Sequence, residues 1–535
     1  MRAPDQVYLD TAPFNLTLVP PSHSNRMQRL LARDPGLAVS LGISVVLSIT
    51  SFVYFYRLDM ILGYGDTEAR LLITDAVLHG RHPGLAQLGG VWLPFPQVYM
   101  LPFTWNDFLL HSGIGGALPS MASYVVACGA LYKLVSLLTK DQFAGVISVV
   151  AFSNPNLLYL QSTPMSELPF IAAFVCAVYF VAKWMAAGRL HALFLAGVAA
   201  AVATLTRYEG WALLGLLTLV VVYACWRGGL DYAAAEGHLV FFGMIAFLGV
   251  GTWLIWNRVI FGDMTYFLTS AYGTKAVNAT QLLGVPAPYR GAGNLQLSAE
   301  LVGWTALSNI GWIAAGLAVL GAFRLAVARR LHSALVLALL LAPIPFSIVM
   351  VYTGGEVITD PPLTPGVDPA NVRYGLLVLP AAAFLVGLIA GVRWLRWPAL
   401  GASVASFALL FASGQVNFHE AVAIRHSQNY ELTTTAGEWL QSHYDGGLVL
   451  AGKPSHEDLL FHSRVGHGSV VYPGDRDEWR DDLRDPAREV SWIVMTDGQP
   501  PDEVWVALHG TNELRDRYEL VYANRLVQIY HLGAT

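Results

Sequence analysis

Charge is what this chain has least of. Lys, Arg, Asp and Glu together make up 13% of its 535 residues, against roughly a quarter in soluble globular proteins. So few charges cannot cover the surfaces of several water-soluble domains, and an entirely soluble architecture is excluded. Cysteine is nearly absent: Cys128, Cys176 and Cys225 each lie inside an apolar run. They supply neither a disulfide framework nor a CxxC metal site. Surplus positive charge is missing too. The net charge is −5, so a polyanionic partner such as nucleic acid is not expected. The first 36 residues lack the apolar core of a signal peptide and end in arginines, and they read as a retained tail. Internal repeats and low-complexity tracts are also lacking.

Apolar sequence is what remains, at 55%. Runs near twenty residues recur, long enough to cross a hydrocarbon core of about 30 Å. Each run must be helical, because unpaired backbone groups in lipid are costly. Eleven spans are expected: Leu37–Tyr56, Gly116–Leu138, Ala144–Leu160, Leu168–Ala187, Leu190–Leu205, Tyr208–Cys225, His238–Trp256, Leu301–Phe323, Ala334–Val351, Tyr374–Ala390 and Pro398–Ser413. Lys and Arg set the orientation. They gather in the tail (Arg2, Arg26, Arg29, Arg33) and in the even-numbered turns, at Lys133 and Lys140, Lys183 and Arg189, Arg227, Arg324, Arg329 and Arg330, and Arg393 and Arg396. The N-terminus is therefore expected in the cytoplasm and the C-terminus outside. The long loops, about Arg57–Gly115, Asn257–Glu300 and Thr353–Arg373, then face outward. The short inner turns hold no glycine-rich phosphate loop for a nucleotide.

From about Gly414 the composition changes, acids outnumber bases and apolar runs shrink to strand length. GGLVLAG, GSVVYPG and VSWIVMTDG read as strands, KPSHEDLLFHS, DRDEWRDDL and DEVWVALHG as helices, and YELVYA with LVQIYHL as a closing hairpin. The fold class is thus a polytopic α-helical membrane protein of about eleven spans (37–413) with a small extracytoplasmic α/β domain (414–535).

The acids with chemical promise lie on the outward side. Asp66 and Glu68 open a short amphipathic helix in LGYGDTEARLLITDAVLHG. Helix capping is the plain alternative for Asp66. Glu167, in LQSTPMSELPF, stands at the mouth of the fourth span, where an ionisable group is a functional candidate. Among cations, Arg207 sits in the tight turn LTRYEGW with Glu209; a local ion pair is the reading for Glu209, and for Arg207 an anion ligand stands equally beside it. Arg373 and Tyr374 enter the tenth span in NVRYGLLVLP, where a guanidinium and a phenol suit a phosphate at headgroup depth. Lys275 and Arg290 are weaker candidates. His79, His82, His456, His462 and His467 lack the cysteine partners and spacing of a structural zinc site. A divalent Mg²⁺ or Mn²⁺ held by Asp66 and Glu68 is left open.

The order of these pieces resembles the GT-C class of membrane glycosyltransferases, which includes the protein O-mannosyltransferases and the lipid A aminoarabinose transferases. YGDTEAR in the first outer loop, STPMSE at the next outer turn and NVRYGL before a late span carry the resemblance. It implies an inverting transferase on the outer face of a prokaryotic plasma membrane. The donor would be a sugar on a polyprenyl phosphate, and the acceptor a hydroxyl of a protein, lipid or glycan. Asp66 would be the general base with Glu68 adjacent, Glu167 would assist, and Arg373 and Tyr374 would hold the donor phosphate. Arg207 is our extension of that phosphate set. Threonine separates the two acids here, where many members have them adjacent. The pattern therefore leaves open which acid is the base and whether a metal binds. The rival classes are a flippase for a lipid-linked intermediate and a non-catalytic membrane scaffold.

Overall fold

The computed structural model describes residues 34–452, 457–498 and 502–533. Most of the expected N-terminal tail and His456 lie outside the described residues. Among the described residues, seven helices are long and apolar enough to cross a membrane alone: Pro35–Arg57, Ile114–Thr139, Glu167–Ala187, Glu209–Arg227, Leu331–Thr353, Val372–Ala390 and Arg393–Arg425. Three more candidates are broken, and counting each as one span gives at most ten.

The expected count of eleven is not confirmed, because four of the expected spans are not single long helices. The fifth expected span is a helix of 17 residues, Leu190–Thr206, about 25 Å at 1.5 Å per residue and at the lower limit of a crossing. The third, seventh and eighth are not straight rods. Gln142–Phe152 and Pro155–Gln161 meet at 73°, Tyr232–Ala246 and Leu248–Phe261 at 44°, and Leu295–Ile310 and Trp312–Ala328 at 106°. At the last of these breaks Gly311 adopts φ +77°, a left-handed conformation that favours glycine.

Broken backbone at membrane depth persists only where protein satisfies its polar groups. Here a knot of buried asparagines does so. The side chains of Asn154 and Asn156 donate to the Asn309 carbonyl at 2.9 and 3.1 Å. Asn309 Nδ2 donates to the Val372 carbonyl at 2.7 Å, and Asn417 Nδ2 donates to Asn309 Oδ1 at 3.0 Å. Four irregular stretches are thereby pinned together. Gly375 completes the fit, since a Cβ there would fall on the carbonyl of Thr305. These contacts fix the segment Val372–Val378, which carries Arg373.

The C-terminal part is a five-stranded sheet of order β2-β1-β3-β5-β4. The strands are β1 (Leu448–Ala451), β2 (Val470–Val471), β3 (Val490–Thr496), β4 (Tyr518–Ala523) and β5 (Val527–Leu532). β1 pairs in parallel with β2 and β3, with Glu457–Ser463 and Asp477–Arg484 in the crossovers. β5 runs antiparallel to β3 and β4. Alternation along β3 sends Trp492 and Val494 into one apolar cluster and Ile493 and Met495 into another, as a period of two requires. The first cluster also contains Leu71 and Leu72 of the helix Gly65–His79. Burying each leucine contributes about 1.5–3 kcal/mol. The sheet is thus seated on the helix that begins with Asp66.

Candidate active site

The helix Gly65–His79 starts after Tyr64, and its cap makes no side-chain hydrogen bond. Asp66 therefore lies inside the first turn and does not cap it. Its carboxylate turns outward from the helix and accepts a hydrogen bond from Arg373 Nη2 at 2.7 Å. Arg373 is the hub of the site. Its Nη1 lies 3.4 Å from Glu420 Oε1 and its Nε 3.4 Å from Glu167 Oε1. Its guanidinium also stacks over the rings of Tyr64 and Tyr374, at 4.9 and 5.3 Å.

A second guanidinium extends the cluster. Arg207 Nη1 lies 3.0 Å from Glu167 Oε1, and its Nη2 donates to Glu209 Oε1 at 2.6 Å. It also lies over the Tyr374 ring, at 5.0 Å. Asp66, Glu167, Arg207, Arg373 and Tyr374 are thus brought together. Burial separates their roles: the Asp66 side chain is 38% exposed, whereas Glu167 is 0%, Glu420 1% and Glu209 4% exposed. Asp66 is the carboxylate of this cluster that solvent, and so a substrate, reaches.

Glu68 is not brought into this cluster. Two residues along a helix is about 200° around its axis, so Asp66 and Glu68 point to opposite sides. Glu68 is fully buried. Its Oε1 accepts from the Tyr430 hydroxyl at 2.8 Å, with His462 Nε2 at 3.3 Å and Arg425 Nη1 at 4.0 Å. Tyr430 and His462 belong to the sheet-bearing part, so Glu68 binds the helix to that part. The two acids do not converge on one point, and among the described residues no group of three His, Cys, Asp or Glu is arranged to hold a metal ion. Arg290 is turned to its own loop, donating to the Val285 carbonyl at 2.7 Å, and Lys275 is exposed.

Three members of the site were not singled out from sequence. Glu420 lies past the last span expected from sequence, in Val416–Arg425, where Asn417, Glu420 and Ala421 share one buried face. Its Oε1 also accepts from the Asn371 amide, and its Oε2 from the Tyr64 hydroxyl at 3.0 Å. Arg70 follows Asp66 by one helical turn, the spacing that could have found it. Its guanidinium lies 4.5 Å over Trp92 and donates from Nη2 to Ser166 Oγ at 3.3 Å. Arg70 Nε, Arg70 Nη1 and the hydroxyl of nearby Tyr99 are buried without a hydrogen-bond partner. Glu356, in the loop between Thr353 and Val372, is the third, and burial pushes its carboxyl well above the usual range.

Comparison with known proteins gives the fold a class. A family model described as dolichyl-phosphate-mannose-protein mannosyltransferase matches residues 108–256. ArnT of Cupriavidus metallidurans, solved with undecaprenyl phosphate, superposes at a TM-score of 0.52 and 14% identity over 91% of this chain and 98% of its own. Its apo state gives 0.47 at the same identity. The oligosaccharyltransferase AglB of Archaeoglobus fulgidus, solved with an inhibitory peptide and a dolichol-phosphate, gives 0.46 at 11% identity over 87% of this chain and 69% of its own. No curated protein sequence matches the chain. The fold is that of the GT-C glycosyltransferases, as the resemblance in sequence implied.

Proposed function

We propose that this chain is an inverting glycosyltransferase that moves a sugar from a polyprenyl-phosphate donor to a hydroxyl acceptor at the outer face of the membrane. One observation carries the reading: in a GT-C fold, Asp66 is the carboxylate open to solvent in a buried cluster of acids and guanidinium groups. Arg373 engages Oδ2, which orients the carboxylate and leaves Oδ1 for an acceptor proton.

In the proposed reaction the acceptor oxygen attacks the anomeric carbon from the side opposite the phosphate. Its proton passes to Asp66 as the new bond forms. The bond from the anomeric carbon to the phosphate oxygen breaks, and its electron pair stays on the phosphate. The leaving group changes from a phosphodiester to a phosphomonoester and gains negative charge, which fixed cations stabilise. We assign the phosphate to the space lined by Arg207, Arg373 and Tyr374, and add Arg70. Arg207 and Arg373 are already engaged by carboxylates, whereas Arg70 keeps two buried nitrogens, Nε and Nη1, without a hydrogen-bond partner. One helical turn, about 6 Å along the axis, separates Arg70 from Asp66. That spacing suits a base and a leaving group on either side of one carbon. Glu167 fixes both Arg207 and Arg373 and acts on the acceptor only through them.

The test is transfer by purified protein from a polyprenyl-phosphate sugar, with Asp66→Asn as the variant. A folded variant that transfers at the wild-type rate removes Asp66 from the role. Transport of the lipid-linked sugar across vesicles without transfer would favour a flippase instead.

A further inference from the structure

We infer that the carboxyl of Glu356 works as a neutral acid in the donor site, donating its O–H to the donor phosphate beside Arg207 and Arg373. This rests on the lipid-phosphate reading above and names a residue that reading does not use.

The position is built. Asn278 Nδ2 donates to the Gly355 carbonyl at 2.7 Å, the Gly355 and Glu356 amides both donate to the Met350 carbonyl, and Asn371 Nδ2 donates to the Val357 carbonyl at 2.8 Å. Glu356 is 8% exposed, and its Oε2 is buried without a hydrogen-bond partner. A carboxyl this rigidly placed and left unsatisfied is expensive unless a ligand completes it. The hydrogen bond from Asn371 ties this loop to the segment that carries Arg373, and the groups that act on Glu356 electrostatically are Arg207 and Glu209 from the turn between two spans and Arg373 and Tyr374 from Val372–Val378. The helix Thr274–Leu283 brings the neutral Asn278.

Charge balance explains why the acid must be neutral. Asp66, Glu167, Glu209 and Glu420 already share the two guanidinium groups of Arg207 and Arg373. With Arg70 the site holds three guanidinium groups against these four carboxylates, so a fifth carboxylate would deepen the excess of negative charge, and a phosphodiester adds one more to the same space. Ionised, Glu356 would repel the donor. Protonated, it offers a hydrogen bond to the phosphate beside the Tyr374 phenol. Its burial and its neighbour Glu209 favour the protonated form, in line with its raised pKa.

The experiment measures binding of the methyl diester of undecaprenyl phosphate to the full-length protein in lipid nanodiscs between pH 6 and pH 10. The diester keeps a single charge across that window. For the wild type, Kd should be flat at low pH and rise by up to about tenfold per pH unit once Glu356 ionises. Glu356→Gln, which imitates the neutral acid, should remove that rise and keep Kd near the wild-type low-pH value. Glu356→Ala should bind about tenfold or more weakly at every pH, as loss of a hydrogen bond to a charged group implies. A wild-type Kd that does not change with pH overturns the inference. So does a Gln variant that fails to fold, binds as weakly as the Ala variant, or keeps the pH dependence. If the wild type binds the diester at no pH, the lipid-phosphate reading falls together with it.

Discussion

Two acids on one helix, two residues apart, meet opposite fates. Asp66 looks into a cluster of two guanidinium groups and three further carboxylates and stays partly open to solvent. Glu68 is sealed, and a tyrosine and a histidine from the sheet-bearing part hold it. Composition does not distinguish them; helical period does. The comparison teaches that an acidic pair at a helix start can be divided, one member left open to solvent in an ionic cluster and the other sealed in assembly.

The largest effect on the fold is expected on the Asp66 side. Arg373→Met leaves Glu167 and Glu420 without one of their cations. Breaking such a buried ion network costs about 3–5 kcal/mol, and thermal unfolding in detergent should record a large fall in Tm. If the variant unfolds like the wild type, the hub role given to Arg373 is wrong. A smaller effect is expected on the Glu68 side. Tyr430→Phe removes the donor to Glu68 and should cost about 1–3 kcal/mol, the penalty of leaving a buried acceptor unpaired. The check is faster limited proteolysis of the sheet-bearing part, with transfer changed far less than by Asp66→Asn. Equal losses of transfer in both variants would erase the contrast between the two sides.

The smallest effect lies at the rim. Arg81 Nε donates to Glu478 Oε2 at 2.5 Å, and this bond holds the Glu478 carboxyl below the usual range. A lowered folded pKa contributes stability above the unfolded value near 4.5, and that stability is lost as pH falls through the folded value. Glu478 is 38% exposed, so after solvent screening Glu478→Gln should cost about 0.5 kcal/mol or less at neutral pH. The difference from wild type should vanish once the pH lies below the folded value. A difference that persists there would show that the pair stabilises through packing.

Much of this was readable from sequence, and the reasons are local. β3 is a buried seven-residue strand over Val490–Thr496, and VSWIVMTDG announces it by apolar content alone. The antiparallel pairing of β4 and β5 follows from YELVYA and LVQIYHL flanking a short turn. Asp66, Glu167, Arg207, Arg373 and Tyr374 were found because ionisable groups are rare at the ends of apolar runs. What was hidden depends on distance in the chain. Asp66 and Arg373 are 307 positions apart, and no spacing rule predicts that they meet. Glu420 was hidden because it lies beyond the last apolar run of the sequence, in a stretch that looks like the start of a soluble domain. The 106° break at Gly311 was hidden because Leu301–Phe323 reads as one apolar run, and its kink depends on Asn309 bonding Val372.

The most direct measurement compares single-turnover transfer by wild type, Asp66→Asn and Glu68→Gln, each folded in nanodiscs, from one polyprenyl-phosphate sugar. Removing a positioned base should slow Asp66→Asn by about 10²–10⁴-fold, while Glu68→Gln stays within about tenfold of wild type because its partner interactions are structural. The reverse order, with Glu68→Gln inactive and Asp66→Asn active, would contradict the assignment of the base and with it the division between the two sides of the helix.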